Sequence, residues 1–154
     1  MVQLIAAIYN GGHLYQPKII QRVGENEKEL YRFSPTMTGK IRTKPEYLEH
    51  IRRALYGVVN DPHGTGQKAR VDGVMVAGKT GTAQVVKLDL EKNYEKEEDI
   101  PYQFRDHAWF VANAEVDRPA TLALAIIIEH GGHGASTAAP IAKELIQAYF
   151  KTGR

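Results

Sequence analysis

Gly78-Lys79-Thr80-Gly81-Thr82 packs an ammonium, two hydroxyls and two positions without a side chain into five consecutive residues. One chemistry such a run serves is phosphate binding. Gly73-Val74-Met75-Val76-Ala77-Gly78-Lys79-Thr80 matches G-x-x-x-x-G-K-[ST] at every defined position. The apolar run ending Ile126-Ile127-Ile128-Glu129 resembles the acidic strand that accompanies nucleotide sites. A phosphate loop, however, needs a flexible loop opening into a helix whose N-terminus faces the anion. Here the loop positions are Val74, Met75, Val76 and Ala77, a strand-forming run. The helix would open on Thr80, Gly81 and Thr82, each costing roughly 0.5 to 1 kcal/mol relative to alanine, and would then meet Val85-Val86. The spacing therefore predicts a strand, interrupted by glycines, over Val71 to Val86. Nucleotide binding through Gly73 to Thr80 stands as the alternative. An extended backbone at Lys79 to Val86, antiparallel to 107–116, excludes it; a helix starting at Lys79 supports it. Without further context Lys79 is an exposed strand lysine.

Other reactive side chains have plainer readings. His130 and His133 flank Gly131-Gly132, but a zinc site needs more ligands than this pair, so a surface loop is expected, with no metal and no cofactor. Asp106 and His107 read as strand-start residues. Trp109 and Phe110 alternate on a strand, so one belongs to the core and the other covers a face. Glu95-Lys96-Glu97-Glu98-Asp99 reads as a solvated loop, with a lid or partner-binding segment as the alternative.

These residues need a scaffold. The chain has 154 residues, 43% hydrophobic and 25% charged, ordinary values for one globular domain. A net charge of +2, with no basic run, argues against nucleic acid. The absence of cysteine excludes disulfides and thiol catalysis. The longest apolar stretch, Leu122 to Ile128, is far short of the roughly 20 residues of a membrane span, so a soluble chain is expected. The start, Met1-Val2-Gln3-Leu4, has no basic leader and begins inside a helical pattern, as a piece of a longer chain would.

Leu4, Ile5 and Ile8 predict a short helix stopped by Asn10-Gly11-Gly12. Lys18 to Val23 and Glu29 to Phe33 predict a hairpin around Gly24-Glu25-Asn26. Thr43 is expected to cap a helix with Pro45 in its first turn. Leu48, Ile51, Leu55, Val58 and Val59 then share one face, and Asn60-Asp61-Pro62 ends the helix. His63 to Gln67 is a loop, and Lys87 to Arg105 a long connection. Asp117-Arg118-Pro119 is a turn. Ser136 or Thr137 caps a last helix. The fold class is α+β: an antiparallel meander of 74–86, 107–116 and 121–129, with helix 137–150 on one face, and N-terminal helices plus a β-hairpin.

The segment Val76-Ala77-Gly78-Lys79-Thr80-Gly81-Thr82-Ala83-Gln84-Val85 also contains the K-T-G motif of penicillin-binding proteins and β-lactamases. Its context resembles the penicillin-binding protein 2 family, the class B peptidoglycan D,D-transpeptidases of cell elongation. Asp106-His107-Ala108-Trp109-Phe110 is similar to that family's next strand. Ile128-Glu129-His130-Gly131-Gly132 and the alanine-rich helix with Pro140 are similar to its last strand and closing helix. Met1 to Gly12 and Arg53 to Asn60 resemble two of its helices. The resemblance runs through residues 1–154 in order and implies the C-terminal part of a transpeptidase domain.

The resemblance implies that a serine attacks the D-Ala-D-Ala end of a stem peptide and that β-lactams mimic that end. It gives Lys79 the charge for the terminal carboxylate, Thr80 and Thr82 hydroxyls for the same group, and the Thr82 N–H a place in the oxyanion hole. Gly81 leaves room for the ligand. It also implies a parent at the bacterial inner membrane with a periplasmic catalytic domain and elongation-complex partners. The chain departs from the family in one respect. Its only serines, Ser34 and Ser136, begin neither S-x-x-K nor S-x-N. The nucleophile, its lysine and the middle motif are expected upstream of Met1, and the chain alone is expected to be inactive. A noncatalytic module that binds stem peptides is a further alternative. The strand at 121–129 reads as fully buried, and an unpaired edge on it predicts self-association.

Overall fold

A computed structural model describes residues 1–26, 28–85, 100–116 and 121–152. The acidic run at 95–99, the turn at 117–119 and most of the 87–105 connection lie outside these residues. Among the described residues seven strands and three α-helices follow one another: α1 (Val2–Tyr9), β1 (His13–Tyr15), β2 (Arg22–Glu25), β3 (Lys28–Arg32), β4 (Met37–Lys40), α2 (Pro45–Asn60), β5 (Met75–Ala83), β6 (His107–Glu115), β7 (Thr121–Ile128) and α3 (Ala138–Thr152). The one-turn helices Gln67–Ala69 and Tyr102–Phe104 lie before β5 and β6.

The main sheet is the expected antiparallel meander, in the order β5-β6-β7. Its register is regular: Thr80 faces Phe110, which faces Ile126, and Gly81 faces Trp109, which faces Ile127. Side chains alternate across a strand, so Val76, Ala108, Phe110, Ala112, Ala114 and Ile126 share one face. α3 seals that face with Ala138, Ala139, Ala142 and Ile146. The many alanines let the helix lie close, and Phe110, fully buried, fills the space between. Trp109 points to the other face and is partly covered, the division expected of the pair.

α1 packs across β6 and β7 on that second face, burying Ile5 and Ala7. The sheet is therefore covered on both faces. At one end Tyr9 stacks on Arg52 of α2, 5.6 Å from guanidinium to ring centroid. Burial, and then the negative charge of Glu115, push the Tyr9 phenol up to about 12. Asn113, buried on the same face, donates to Glu115 at 3.0 Å.

Several local expectations change. α2 starts at Pro45, with Lys44 as its N-cap and no side-chain cap bond, so Thr43 is not the cap. The residue before proline is held extended, and the helix begins where proline's fixed φ permits it. The hairpin turn sits later than expected: β2 includes Gly24 and Glu25, and Asn26 takes the left-handed conformation at φ 47°. A bulge between Val23 and Gly24 shifts the register and moves the turn. The β1–β4 pair was not foreseen; three residues joining four across more than twenty others leave no local pattern. Gly11 and Gly12 stop α1 in the expected way, at φ 85° and 93°. Neither Ser136 nor Thr137 caps α3 with its side chain. Their hydroxyls donate backwards, to the carbonyls of His133 and Gly131, while the N–H groups of Ala138 and Ala139 reach the Gly134 carbonyl. β7 is not fully buried: only Ile126 is, and Ile127 is 44% exposed. Among the described residues β7 pairs with β6 alone, so its outer flank is uncovered.

Candidate functional site

Lys79, Thr80, Gly81 and Thr82 lie in the second half of β5, fully extended and antiparallel to β6. No helix starts at Lys79. This overturns the nucleotide-binding alternative, because the backbone N–H groups of a phosphate loop must converge on one anion, and those of a strand alternate in direction.

β5 is an edge strand of this sheet. The Val76 carbonyl accepts a hydrogen bond from Asn60 Nδ2 of α2 at 2.8 Å, so backbone groups at that position point away from β6. By alternation the same holds at Gly78, Thr80 and Thr82. Lys79 agrees with this parity: its Nζ donates to the Thr80 carbonyl at 2.7 Å, on the outer edge. The outer edge of β5 therefore presents an ammonium, a threonine on either side of Gly81, and the N–H of Thr82. Lys79 and Thr82 are exposed, while Thr80 and Gly81 are half-buried. Gly81 packs closely on β6: a Cβ there would lie 3.2 Å from Trp109 Cβ, a tight contact.

Three neighbours fix this edge. Gly134, in the turn leading into α3, lies on the Gly81–Trp109 backbone so closely that a Cβ would overlap the Trp109 carbonyl oxygen. Asn60 holds the near end of β5 to α2, bonding both Tyr56 and Val76 carbonyls. The loop after α2 brings Thr65 Oγ1 to 2.9 Å from Thr80 Oγ1. No local signal marks Thr65 beyond its place between Gly64 and Gly66 in a loop. The far end of β5 is close to Asp106, whose Oδ1 accepts from the Val85 N–H at 3.4 Å.

The histidines serve the frame. His107 Nδ1 accepts the His130 N–H at 2.9 Å, so its ring proton sits on Nε2. His130 Nδ1 donates to the Arg105 carbonyl at 3.1 Å, and its ring packs against Tyr102 and His107. These bonds hold His130 at φ 54°, where the chain leaves β7 and turns towards α3. Among the described residues no three His, Asp or Glu side chains come together as a metal site. No helix there is long and apolar enough to cross a membrane.

Comparison with known proteins places this geometry. The family model for the penicillin binding protein transpeptidase domain matches residues 1–147. The chain is 36% identical over 145 residues to the peptidoglycan D,D-transpeptidase MrdA of Haemophilus influenzae, covering 93% of this chain and 22% of that protein. It thus spans about a fifth of the length of that relative. The crystal structure of the D,D-transpeptidase domain of a peptidoglycan glycosyltransferase from Eggerthella lenta superposes with a TM-score of 0.72 at 29% identity, over 99% of this chain and 31% of that one. A complex between a penicillin-binding protein (PBP2) and MreC from Helicobacter pylori has the same fold, with a TM-score of 0.70 at 24% identity, over 98% and 24% of the two chains.

Proposed function

We propose, because this chain belongs to the penicillin-binding protein transpeptidase domain family, that it is the C-terminal part of such a domain and forms one wall of its active site. The observation that carries this reading is the extended outer edge of β5. There the Lys79 ammonium reaches the Thr80 carbonyl, the Thr82 N–H points away from β6, and Thr80 and Thr82 flank Gly81 on one face of the strand. A carboxylate whose carbon lies three bonds from a carbonyl carbon, as in a D-Ala-D-Ala end or a penicillin, matches that set. The carboxylate takes charge-assisted bonds from Lys79 and the hydroxyls. The carbonyl oxygen, as it becomes an oxyanion, takes the Thr82 N–H.

The reaction is serine acyl transfer. A serine oxygen forms a bond to the penultimate D-alanine carbonyl carbon, and the terminal D-alanine departs with the serine proton. The amine of a neighbouring stem peptide then displaces the serine, giving a cross-link. The 154 residues hold no S-x-x-K, so the serine belongs to another segment of the parent protein. We place that parent at the inner membrane with its catalytic domain in the periplasm. The structural neighbour solved with MreC supports an elongation-complex membrane protein as its expected partner.

The test separates the wall from the chemistry. The 154-residue chain, incubated with benzylpenicillin, is expected to show no added mass, whereas the full-length protein gains one penicilloyl group. A stable adduct on the short chain refutes the assignment of the nucleophile to another segment. A full-length protein that binds a D-Ala-D-Ala peptide saturably but never acylates is instead a noncatalytic module. The open flank of β7 leads to a second expectation. Exposed strand edges recruit other strands, so the short chain should sediment as dimers or larger species. A single monomeric species at about 100 µM, within the micromolar to millimolar range in which exposed edges associate, contradicts it.

A further inference from the structure

We propose that Thr65 is a positioning residue that directs the Thr80 proton at the ligand carboxylate; this rests on the reading above that Thr80 binds that group. The two hydroxyl oxygens are 2.9 Å apart, and either can be the donor. Each hydroxyl has one proton and two acceptor lone pairs. A carboxylate only accepts, so Thr80 must spend its single proton on the ligand. Thr65 then has to donate to Thr80. In that direction the pair is a relay: the Thr65 proton polarises the Thr80 hydroxyl and strengthens its bond to the anion. In the opposite direction Thr80 has no proton left to give.

The loop carrying Thr65 is built to hold it there. Gln67 Nε2 donates to the carbonyls of Asp61 at 2.8 Å and Pro62 at 2.6 Å, tying the loop to itself. The Gly66 N–H donates to Val58 O at 2.8 Å. Gly66 also fits beneath Phe110, where a Cβ would come within 3.2 Å of the ring. Thr65 itself is exposed, and its neighbours Gly66 and Gln67 tether it to the end of α2. Asn60, five residues earlier, fixes β5 from the same helix end. The distance between the two hydroxyls is thus set by α2 as a unit. Thr80 is β-branched and restricted at χ1, so it presents its hydroxyl in few directions.

The test uses the full-length protein with two probes, benzylpenicillin and its methyl ester, which differ in the charge of one group. Thr65→Val keeps the shape and removes the hydroxyl; Thr65→Ser keeps the hydroxyl. Thr65→Val is expected to lower the second-order acylation rate with benzylpenicillin roughly 3- to 10-fold, the worth of one hydrogen bond, and to leave the ester rate nearly unchanged. Thr65→Ser should retain the wild-type rate, and Thr65→Val should add nothing in a Thr80→Val background. An equal loss with both probes, additivity with Thr80→Val, or an unaltered rate overturns the proposal. If Thr80→Val itself leaves the benzylpenicillin rate untouched, the carboxylate role of Thr80 fails, and the proposal fails with it. That outcome is distinct from one in which Thr80 matters and Thr65 does not.

Discussion

Lys79→Met in the full-length protein is expected to cut the second-order rate of acylation by benzylpenicillin roughly 10- to 100-fold, with melting behaviour close to wild type. The rate effect follows from the loss of a charge-assisted hydrogen bond, worth about 1.5 to 3 kcal/mol. The small stability effect follows from position. Lys79 is exposed, and the bond it makes is to the carbonyl of its own neighbour, Thr80, on the open edge of the strand. Surface substitutions of this kind usually move stability by no more than about 0.5 kcal/mol. Lys79→Arg should recover part of the rate, since it restores the charge, but not all of it. A planar guanidinium does not reproduce the reach of a compact ammonium on a flexible stem. Stopped-flow acylation with a reporter β-lactam and a thermal melt on the same samples would decide the matter. A variant that acylates at the wild-type rate would remove Lys79 from the site. A variant that loses rate only because it unfolds would make the lysine structural.

The second large effect concerns Gly134, where fold and site meet. Gly134→Ala is expected to destabilise the domain by about 3 kcal/mol or more, because overpacking against rigid backbone cannot be relieved by rotamer changes. The added Cβ would overlap the Trp109 carbonyl oxygen and lie 2.6 Å from the Gly81 carbonyl oxygen and 3.0 Å from its nitrogen. These atoms belong to the β5–β6 ladder itself. The turn leading into α3 would have to lift, although the Gly134 carbonyl accepts from both Ala138 and Ala139 and ties that turn to the first residues of the helix. A loss of that size lowers the melting temperature by about 6 to 12 °C in a domain of this class. Acylation should fall as well, since Gly81 lies between the two threonines of the binding edge. Gly39→Ala is the control: its Cβ would meet only Leu14 Cδ1, at an ordinary 3.7 Å. If Gly134→Ala melts with the wild type, α3 is not seated on the sheet as described.

The contrast between Lys79 and Gly134 also separates what the chain shows as a string of residues from what it shows when folded. The strand at β5 was legible because Val74 to Ala77 are poor loop residues and the glycines and threonines after them are poor helix residues. That local chemistry alone decided between two motifs sharing Gly78-Lys79-Thr80. The meander was legible too, since apolar runs separated by turn signals carry their period in neighbouring residues. The burial of Phe110 but not Trp109 follows from the same alternation, though which of the two faced α3 did not.

Other features depended on groups distant in sequence. Thr43 looked like a cap, but the proline two residues on dictated where α2 could begin. β7 read as buried on both faces because every residue from Leu122 to Ile128 is apolar; its exposure depends on which strand lies beyond it, and no residue within it records that. Thr65 reaches Thr80 across fifteen residues, and Gly134 reaches Gly81 across fifty-three, by differences of residue number. The residue types at a binding edge are a local property of the sequence. The donor that orients a hydroxyl, and the glycine that lets a helix rest on a strand, are set by close approach between segments, and only the tertiary structure brings those segments together.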